Sequence, residues 1–73
     1  MEHPGIRLKQ LREARGMSDE DLVRKLYPNL KEPIANLLIV RAWEKGLKVN
    51  LHDTLLIKLA QFFGVTTDYL LGL

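Results

Sequence analysis

The chain has 73 residues, 47% of them hydrophobic and 27% charged, which is the composition of a folded globular domain rather than of a disordered segment. A chain of this length buries only roughly 60% of the surface that its unfolded form exposes, so it has little room for a deep catalytic cleft. The absence of cysteine excludes disulfides and thiolate zinc sites, and the net charge of +2 permits a polyanionic partner without requiring one.

The first predicted helix runs from Gly5 to Arg15. Leu8 and Leu11 recur there at helical spacing, and Gly16 is expected to end the helix.

A capping signal begins the second predicted helix. Ser18 can accept a hydrogen bond from a free amide at the helix start, and Asp21 can reach back to it, as in a capping box. Pro28 is expected to end this helix by about Tyr27, and residues 27–32 are expected to form a loop.

The third predicted helix begins with Pro33 in its first turn, where a missing amide costs nothing, and runs to Lys45 with Gly46 beyond it. Residues 37–40 are four consecutive apolar residues, which lie on all sides of a helix. A helix that is apolar all round in so small a domain needs something to cover it.

Asn50 and Asp53 are expected to cap the fourth predicted helix. Its broad apolar stripe consists of Leu51, Leu55, Leu56, Leu59, Phe62 and Phe63. Gly64 is expected to end it, and Thr66 to cap a last turn over residues 67–71. Since no segment alternates as a strand does, the sequence predicts an all-α bundle of five helices.

Neither a membrane segment nor a catalytic motif is evident. No apolar run approaches the ~20 residues of a membrane span, and the first residues lack a signal-peptide core. We therefore expect a single cytoplasmic domain over residues 1–73, without a membrane partner. His3 and His52 have no second histidine at metal-ligand spacing, and no serine-histidine-acid set or glycine-rich phosphate loop is present. The expectation is neither an enzyme nor a protein with a cofactor or metal.

Three segments, in this order and at these separations, resemble a known family. They are Leu11 to Ser18, Val40 to Gly46 with its Trp-Glu-Lys-Gly end, and Leu59 to Gly72. The chain resembles the lambda-repressor-like helix-turn-helix domains of the Xre/Cro group, which occur in bacterial and phage repressors and in many antitoxins. The resemblance implies a compact five-helix fold, a DNA-binding regulatory function with double-stranded DNA as the partner, and pairing of subunits on half-sites.

The resemblance also implies a structural ion pair. In the family, an arginine of the first helix commonly pairs with the glutamate after the tryptophan, and these positions are Arg12 and Glu44 here. A planar guanidinium suits such a two-pronged contact better than an ammonium group does. Trp43 is expected to be a core anchor rather than a base-stacking platform, since it shares the inward side of its helix with Val40.

In this family the second helix of the motif lies in the major groove, and its first residues touch base edges. By spacing from Trp43, the resemblance places the start of that helix at Asn36 and the reading positions at Leu37, Leu38, Arg41 and Ala42. Base edges are distinguished mainly by polar side chains. Only Asn36 and Arg41 are therefore chemically suited to read them.

The chain departs from the family at two further places. Asp19 stands where the family commonly has a glutamine that helps to clamp a phosphate, and a carboxylate repels phosphate. The stretch from Leu26 to Trp43 is also longer than the usual turn and helix of the family.

Three accounts stay open. In the first, which we favour, the chain is a DNA-binding transcriptional regulator that grips phosphate through Arg7, Lys9, Arg15, Lys31, Lys45 and Lys48. In the second, it is a protein-interaction or dimerisation module whose apolar third helix docks a partner or a second copy. In the third, the loop over residues 27–32 folds back and buries the leucines. Under the first two accounts, dimerisation is also expected, with a candidate surface at Leu47, Val49, Tyr69 and Leu73.

Overall fold

A computed structural model describes residues 3–31 and 33–73 of the chain. Five helices lie within these ranges. The helices are α1 Gly5–Ala14, α2 Asp19–Leu26, α3 Ile34–Glu44, α4 Asp53–Phe63 and α5 Thr67–Leu71. No strand occurs within the described residues. The predicted all-α class with five helices is confirmed.

The helices pack around one shared apolar core. α3 contacts α1 and α2, α5 contacts α1 and α4, and α2 also contacts α4. Each helix contributes at least one side chain that is 0% exposed, and these include Leu8, Leu22, Val40, Leu59 and Leu70. The radius of gyration of 11.2 Å is that of a compact chain of this length, for which about 11 Å is expected.

The predicted capping signals of two helices are confirmed. At α2, Ser18 Oγ accepts a hydrogen bond of 3.0 Å from the Asp21 amide, and an Asp21 carboxylate oxygen accepts one of 3.2 Å from the Ser18 amide. At α5, Thr66 Oγ1 accepts a bond of 3.0 Å from the Tyr69 amide. Gly64 ends α4 in the left-handed conformation, with φ of 67°, which glycine adopts without a side-chain clash.

Two predicted boundaries of α3 are wrong by one residue. Pro33 is the N-cap and not part of the first turn, because its ψ of 44° is not helical, although its carbonyl accepts the bond of 3.0 Å from the Leu37 amide. The helix ends at Glu44, and Lys45 is its C-cap. Similarly, α1 ends at Ala14, with Arg15 as its C-cap.

The predicted cap of α4 is wrong, because a different residue caps this helix. The N-cap is His52, whose ring nitrogen Nδ1 accepts a hydrogen bond of 3.2 Å from the Leu55 amide. Asp53 is the first residue of the helix, and Asn50 lies before it. The expectation failed because histidine is not one of the usual capping residues, whereas Asn and Asp are.

Candidate nucleic-acid interface

The outward side of α3 and its C-cap carries two kinds of side chain. Ile34, Leu38, Arg41 and Lys45 are all exposed. Their spacing of four, three and four residues places them along one side of a helix. This side is therefore apolar over its N-terminal half and basic over its C-terminal half.

The basic half of this side borders a shallow depression of about 360 Å³. We call it the cationic depression, and its lining residues are Lys9, Arg12, Asp19, Arg41, Glu44 and Lys45. They come from α1, from the start of α2, and from the last turn of α3 with its C-cap. Four cationic side chains thus face two carboxylates, and the excess positive charge suits an anionic partner.

Arg41 is paired with Asp19 across the α2–α3 contact. Arg41 Nε donates a hydrogen bond of 2.7 Å to Asp19 Oδ2, and Nη2 lies 3.5 Å from Oδ1. The hydrogen bond from Arg41 is the main reason why the pKa of the Asp19 carboxyl is lowered. Asp19 is the position at which the sequence departs from the family's glutamine, and Arg41 is one of the residues expected to read base edges. In the structure these two residues form an ion pair.

Arg12 and Glu44 form the other ion pair of the depression. Arg12 Nε and Nη2 donate bonds of 3.0 and 2.7 Å to the two carboxylate oxygens of Glu44, and Nη1 donates one of 2.8 Å to the Met17 carbonyl. The two side chains are only 12% and 7% exposed. The pair expected from the resemblance is present, and it joins α1, the α1–α2 turn and the end of α3. Lys9 and Lys45 are the cations of the depression that take part in no ion pair among the described residues, and both are exposed.

Trp43 packs against the core on the other side of α3. It is half-buried, and its indole Nε1 is buried without a hydrogen-bond partner among the described residues. The Trp43 carbonyl abuts the backbone of Gly5 at the start of α1. This position is that of an apolar anchor.

Asn36, the other polar reading position, is held within the fold. Its Oδ1 lies 3.1 Å from Nε2 of His52. Because Nδ1 of that ring accepts a bond from the Leu55 amide, Nε2 carries the hydrogen and donates it to Asn36. The expected start of the helix at Asn36 is also wrong, since α3 begins at Ile34.

Four other predicted phosphate contacts do not line the cationic depression, namely Arg7, Arg15, Lys31 and Lys48. Arg15 donates a bond of 3.2 Å to the Phe62 carbonyl, and its guanidinium lies 4.9 Å from the ring centroids of Phe62 and Phe63. Arg7 makes the same kind of contact with Tyr69, a bond of 2.9 Å to its carbonyl and 4.8 Å to its ring. Both arginines thus pack α1 against the C-terminal helices. Lys48 is exposed in the segment between α3 and α4 and does not line the depression.

An apolar patch lies on the N-terminal half of α3. Its members are Ile34 and Leu38, which lie one turn apart on α3 and are 54% and 58% exposed. Leu37 and Ile39 are half-buried against the core instead. The account in which the loop buries the leucines is therefore wrong for Leu38, and Leu30 of that loop is itself exposed.

A groove of about 420 Å³ runs next to the apolar patch. It is lined by Glu20, Val23, Arg24, Pro33, Ile34, Leu37 and Arg41. Its apolar residues come from both helices of the α2–α3 pair and from the N-cap of α3. Of the candidate dimer surface elsewhere on the molecule, Leu47, Tyr69 and Leu73 are exposed and Val49 is half-buried.

Sequence reasoning missed two contacts that define this site. The first is the Asp19–Arg41 pair, although both residues were singled out for other reasons. The second is His52, which links α4 to Asn36 of α3. For the Asp19–Arg41 pair, a signal was available in the sequence, since the two residues have opposite charges and belong to consecutive helices that pack together.

Comparisons with protein-family models, with curated proteins and with solved structures find no match to this chain. Within residues 3–31 and 33–73, no three acidic or histidine side chains are grouped so that they could hold a metal ion. No helix in the same ranges has the length and apolar character needed to cross a membrane.

Proposed function

We propose that this chain is a DNA-binding transcriptional regulator, a lambda-repressor-like helix-turn-helix domain in which α2 and α3 form the motif. One observation carries the proposal. Lys9, Arg41 and Lys45 converge on a single solvent-open depression along the outward side of α3. Basic side chains gathered along one edge of an exposed helix are what a protein needs to hold a helix against the DNA backbone.

The placement of α3 supports the same function. α3 packs on α2 through its inner side, and its outer side carries exposed residues from Ile34 to Lys45. The major groove of B-DNA admits one α-helix. With α3 in the groove, Arg41 faces base edges, and the two lysines lie beside it as phosphate contacts.

Affinity in this proposal comes mainly from phosphate contacts. Each lysine that neutralises a phosphate releases condensed counterions, which makes the slope of the logarithm of affinity against the logarithm of salt steeper by about 0.9. Asn36 and Leu37 contribute little, because the first is bonded to His52 and the second is half-buried. Sequence reading is consequently narrow and depends on Arg41.

A fluorescence-anisotropy titration against duplex DNA at several salt concentrations tests the proposal. Lys9→Ala and Lys45→Ala are each expected to weaken binding and to reduce the salt slope by about one. Lys25→Ala is the matched control, since it removes the same charge from an exposed position of α2 that does not line the depression. Absence of binding at low salt, or equal weakening by the control, would contradict the proposal.

The apolar patch favours a second candidate function, a dimerisation module in which two copies pair through α3. Ile34 and Leu38 are both more than half exposed one turn apart on α3, and exposed apolar patches mark interaction sites. The patch and the cationic depression share one side of α3. Pairing through the patch therefore competes with DNA binding rather than supporting it.

The oligomeric state of Leu38→Asp tests the second candidate. If the patch joins two copies, this variant is expected to sediment as a monomer under conditions where the unmodified chain is a dimer. Ile57→Asp is the control, because Ile57 is similarly exposed, at 47%, but belongs to α4 rather than to α3. A monomeric unmodified chain at high concentration would rule the candidate out.

A further inference from the structure

The Asp19–Arg41 pair leaves one edge of the guanidinium available. Nε and Nη2 form the side edge of the planar group, and both face the Asp19 carboxylate. Nη1 makes no hydrogen bond to another of the described residues, and the Arg41 side chain is 45% exposed. The end edge, formed by Nη1 and the outer hydrogen of Nη2, is therefore turned away from Asp19.

Asp19 is itself fixed in place. Its Oδ1 accepts a hydrogen bond of 2.7 Å from the Glu20 amide, and its side chain is only 22% exposed. It is the first residue of α2, directly after the Ser18 cap. A carboxylate anchored in this way restricts the rotamers of the arginine that it binds, and an ordered side chain loses less entropy when it meets a ligand.

The pair also changes which ligand Arg41 prefers. A carboxylate beside the guanidinium offsets its charge, which weakens its attraction to a phosphate, while the N–H groups of the end edge remain as donors. A neutral base edge with two acceptors is then the better match. In the major groove, guanine presents N7 and O6 as adjacent acceptors, whereas adenine presents a donor amino group beside its N7.

We propose that Asp19 is a positioning residue that presents the end edge of Arg41 to a guanine, so that the preferred DNA site carries a guanine opposite Arg41. This inference rests on the proposed DNA-binding function and adds the base that is read. The lysines Lys9 and Lys45 supply affinity, and the Asp19–Arg41 pair supplies base discrimination.

Selection from a pool of random duplexes, followed by titrations with single-base variants of the selected duplex, tests this inference. The unmodified chain is expected to select one guanine position and to discriminate against other bases there by about tenfold. Asp19→Asn is expected to lose most of that discrimination while its affinity for arbitrary duplexes rises, because one negative charge is gone from the interface. A merely structural role of Asp19 does not predict opposite changes of affinity and discrimination.

Two further variants complete the experiment. Arg41→Lys keeps the charge without the two-pronged edge, and it is expected to lose the guanine preference with little loss of overall affinity. Glu20→Gln removes a neighbouring exposed acid that pairs with Arg24, and it is expected to keep the preference.

The possible outcomes distinguish the role of Asp19 from the proposed DNA-binding function. Binding without any guanine preference, or a preference that persists in Asp19→Asn, overturns the inference and leaves the DNA-binding function standing. If no duplex is bound at low salt, both fail together.

Discussion

Arg12 and Glu44 tie the first helix to the end of the third through a two-pronged ion pair with N–O distances of 3.0 and 2.7 Å. The third donor nitrogen of Arg12 reaches the Met17 carbonyl in the turn before α2. One guanidinium thus sets the relative position of three segments that border the cationic depression. The pair contributes chiefly to orientation, since charges removed from water recover little net stability from each other.

Removal of one partner of this pair is expected to be costly. Glu44→Gln leaves the nearly buried Arg12 cation without its counter-charge, and we expect a loss of roughly 3–5 kcal/mol in the free energy of unfolding. Urea denaturation followed by circular dichroism measures it. Glu20→Gln is the control, because its pair with Arg24 is 59% and 53% exposed and should contribute less than about 0.5 kcal/mol. Equal losses in the two variants would contradict the structural role of Arg12–Glu44.

Acid is expected to weaken the Asp19–Arg41 contact. The hydrogen bond from Arg41 lowers the pKa of the Asp19 carboxyl in the folded chain. A lowered folded pKa means that the stabilisation is fully present above the unfolded value, about 3.9, and is lost as the pH falls through the folded value. The difference in unfolding free energy between the unmodified chain and Asp19→Asn should therefore be constant near neutral pH and shrink below about pH 4. Denaturation at a series of pH values measures this difference, and a difference that stays constant into strong acid is the contrary result.

Gly5 is expected to tolerate no side chain. A methyl group there would overlap the carbonyl of Trp43 and lie 2.9 Å from Cα of Glu44, and both are backbone atoms that cannot rotate away. Gly5→Ala should cost about 1–3 kcal/mol or more and should shift the fluorescence of Trp43, the single tryptophan. Gly64→Ala is the comparison, since φ is 67° there but a methyl group would meet open space. That variant is expected to lose stability without a change in the tryptophan emission.

Replacement of His52 should show which residue caps α4. His52→Ala removes the acceptor of the Leu55 amide and the donor to Asn36, and the expected cost is roughly 1 kcal/mol in thermal or urea unfolding. Asn50→Ala should have an effect within about 0.5 kcal/mol, because surface changes away from such contacts are usually that small. A larger loss of stability for Asn50→Ala than for His52→Ala would indicate that Asn50 caps α4, as the sequence predicted.

The helices could be predicted because their signals are local. The capping box of Ser18 and Asp21 and the positive-φ glycine Gly64 act within a few residues of the positions that they organise. The error at the start of α3 arose where no side chain caps the helix, and the error at the start of α4 arose where the cap is a histidine ring. Neither proline nor histidine belongs to the residues that commonly cap a helix.

The candidate site was less predictable than the helices. The sequence identifies the charged residues of the site, but it does not identify the side chains with which they pair. Arg41 meets Asp19 from 22 residues away in the sequence, and Asn36 meets His52 from 16 residues away. Spacing along one helix carries no information about which side chain of another helix lies opposite.

By itself, therefore, the sequence determined that the chain is all-α, where its helices lie to within a residue or two, and which residues are charged along α3. The packing of α2 on α3, together with the contact between the N-cap of α4 and α3, decided what those residues do. In the folded chain, Arg41 forms an ion pair with Asp19 and Asn36 contacts His52. Leu38 stays exposed on the same side of α3 as the cationic depression. The physical reason is that helix formation depends on groups within about one turn of each other, whereas the chemistry of a site depends on side chains that only the tertiary fold brings together.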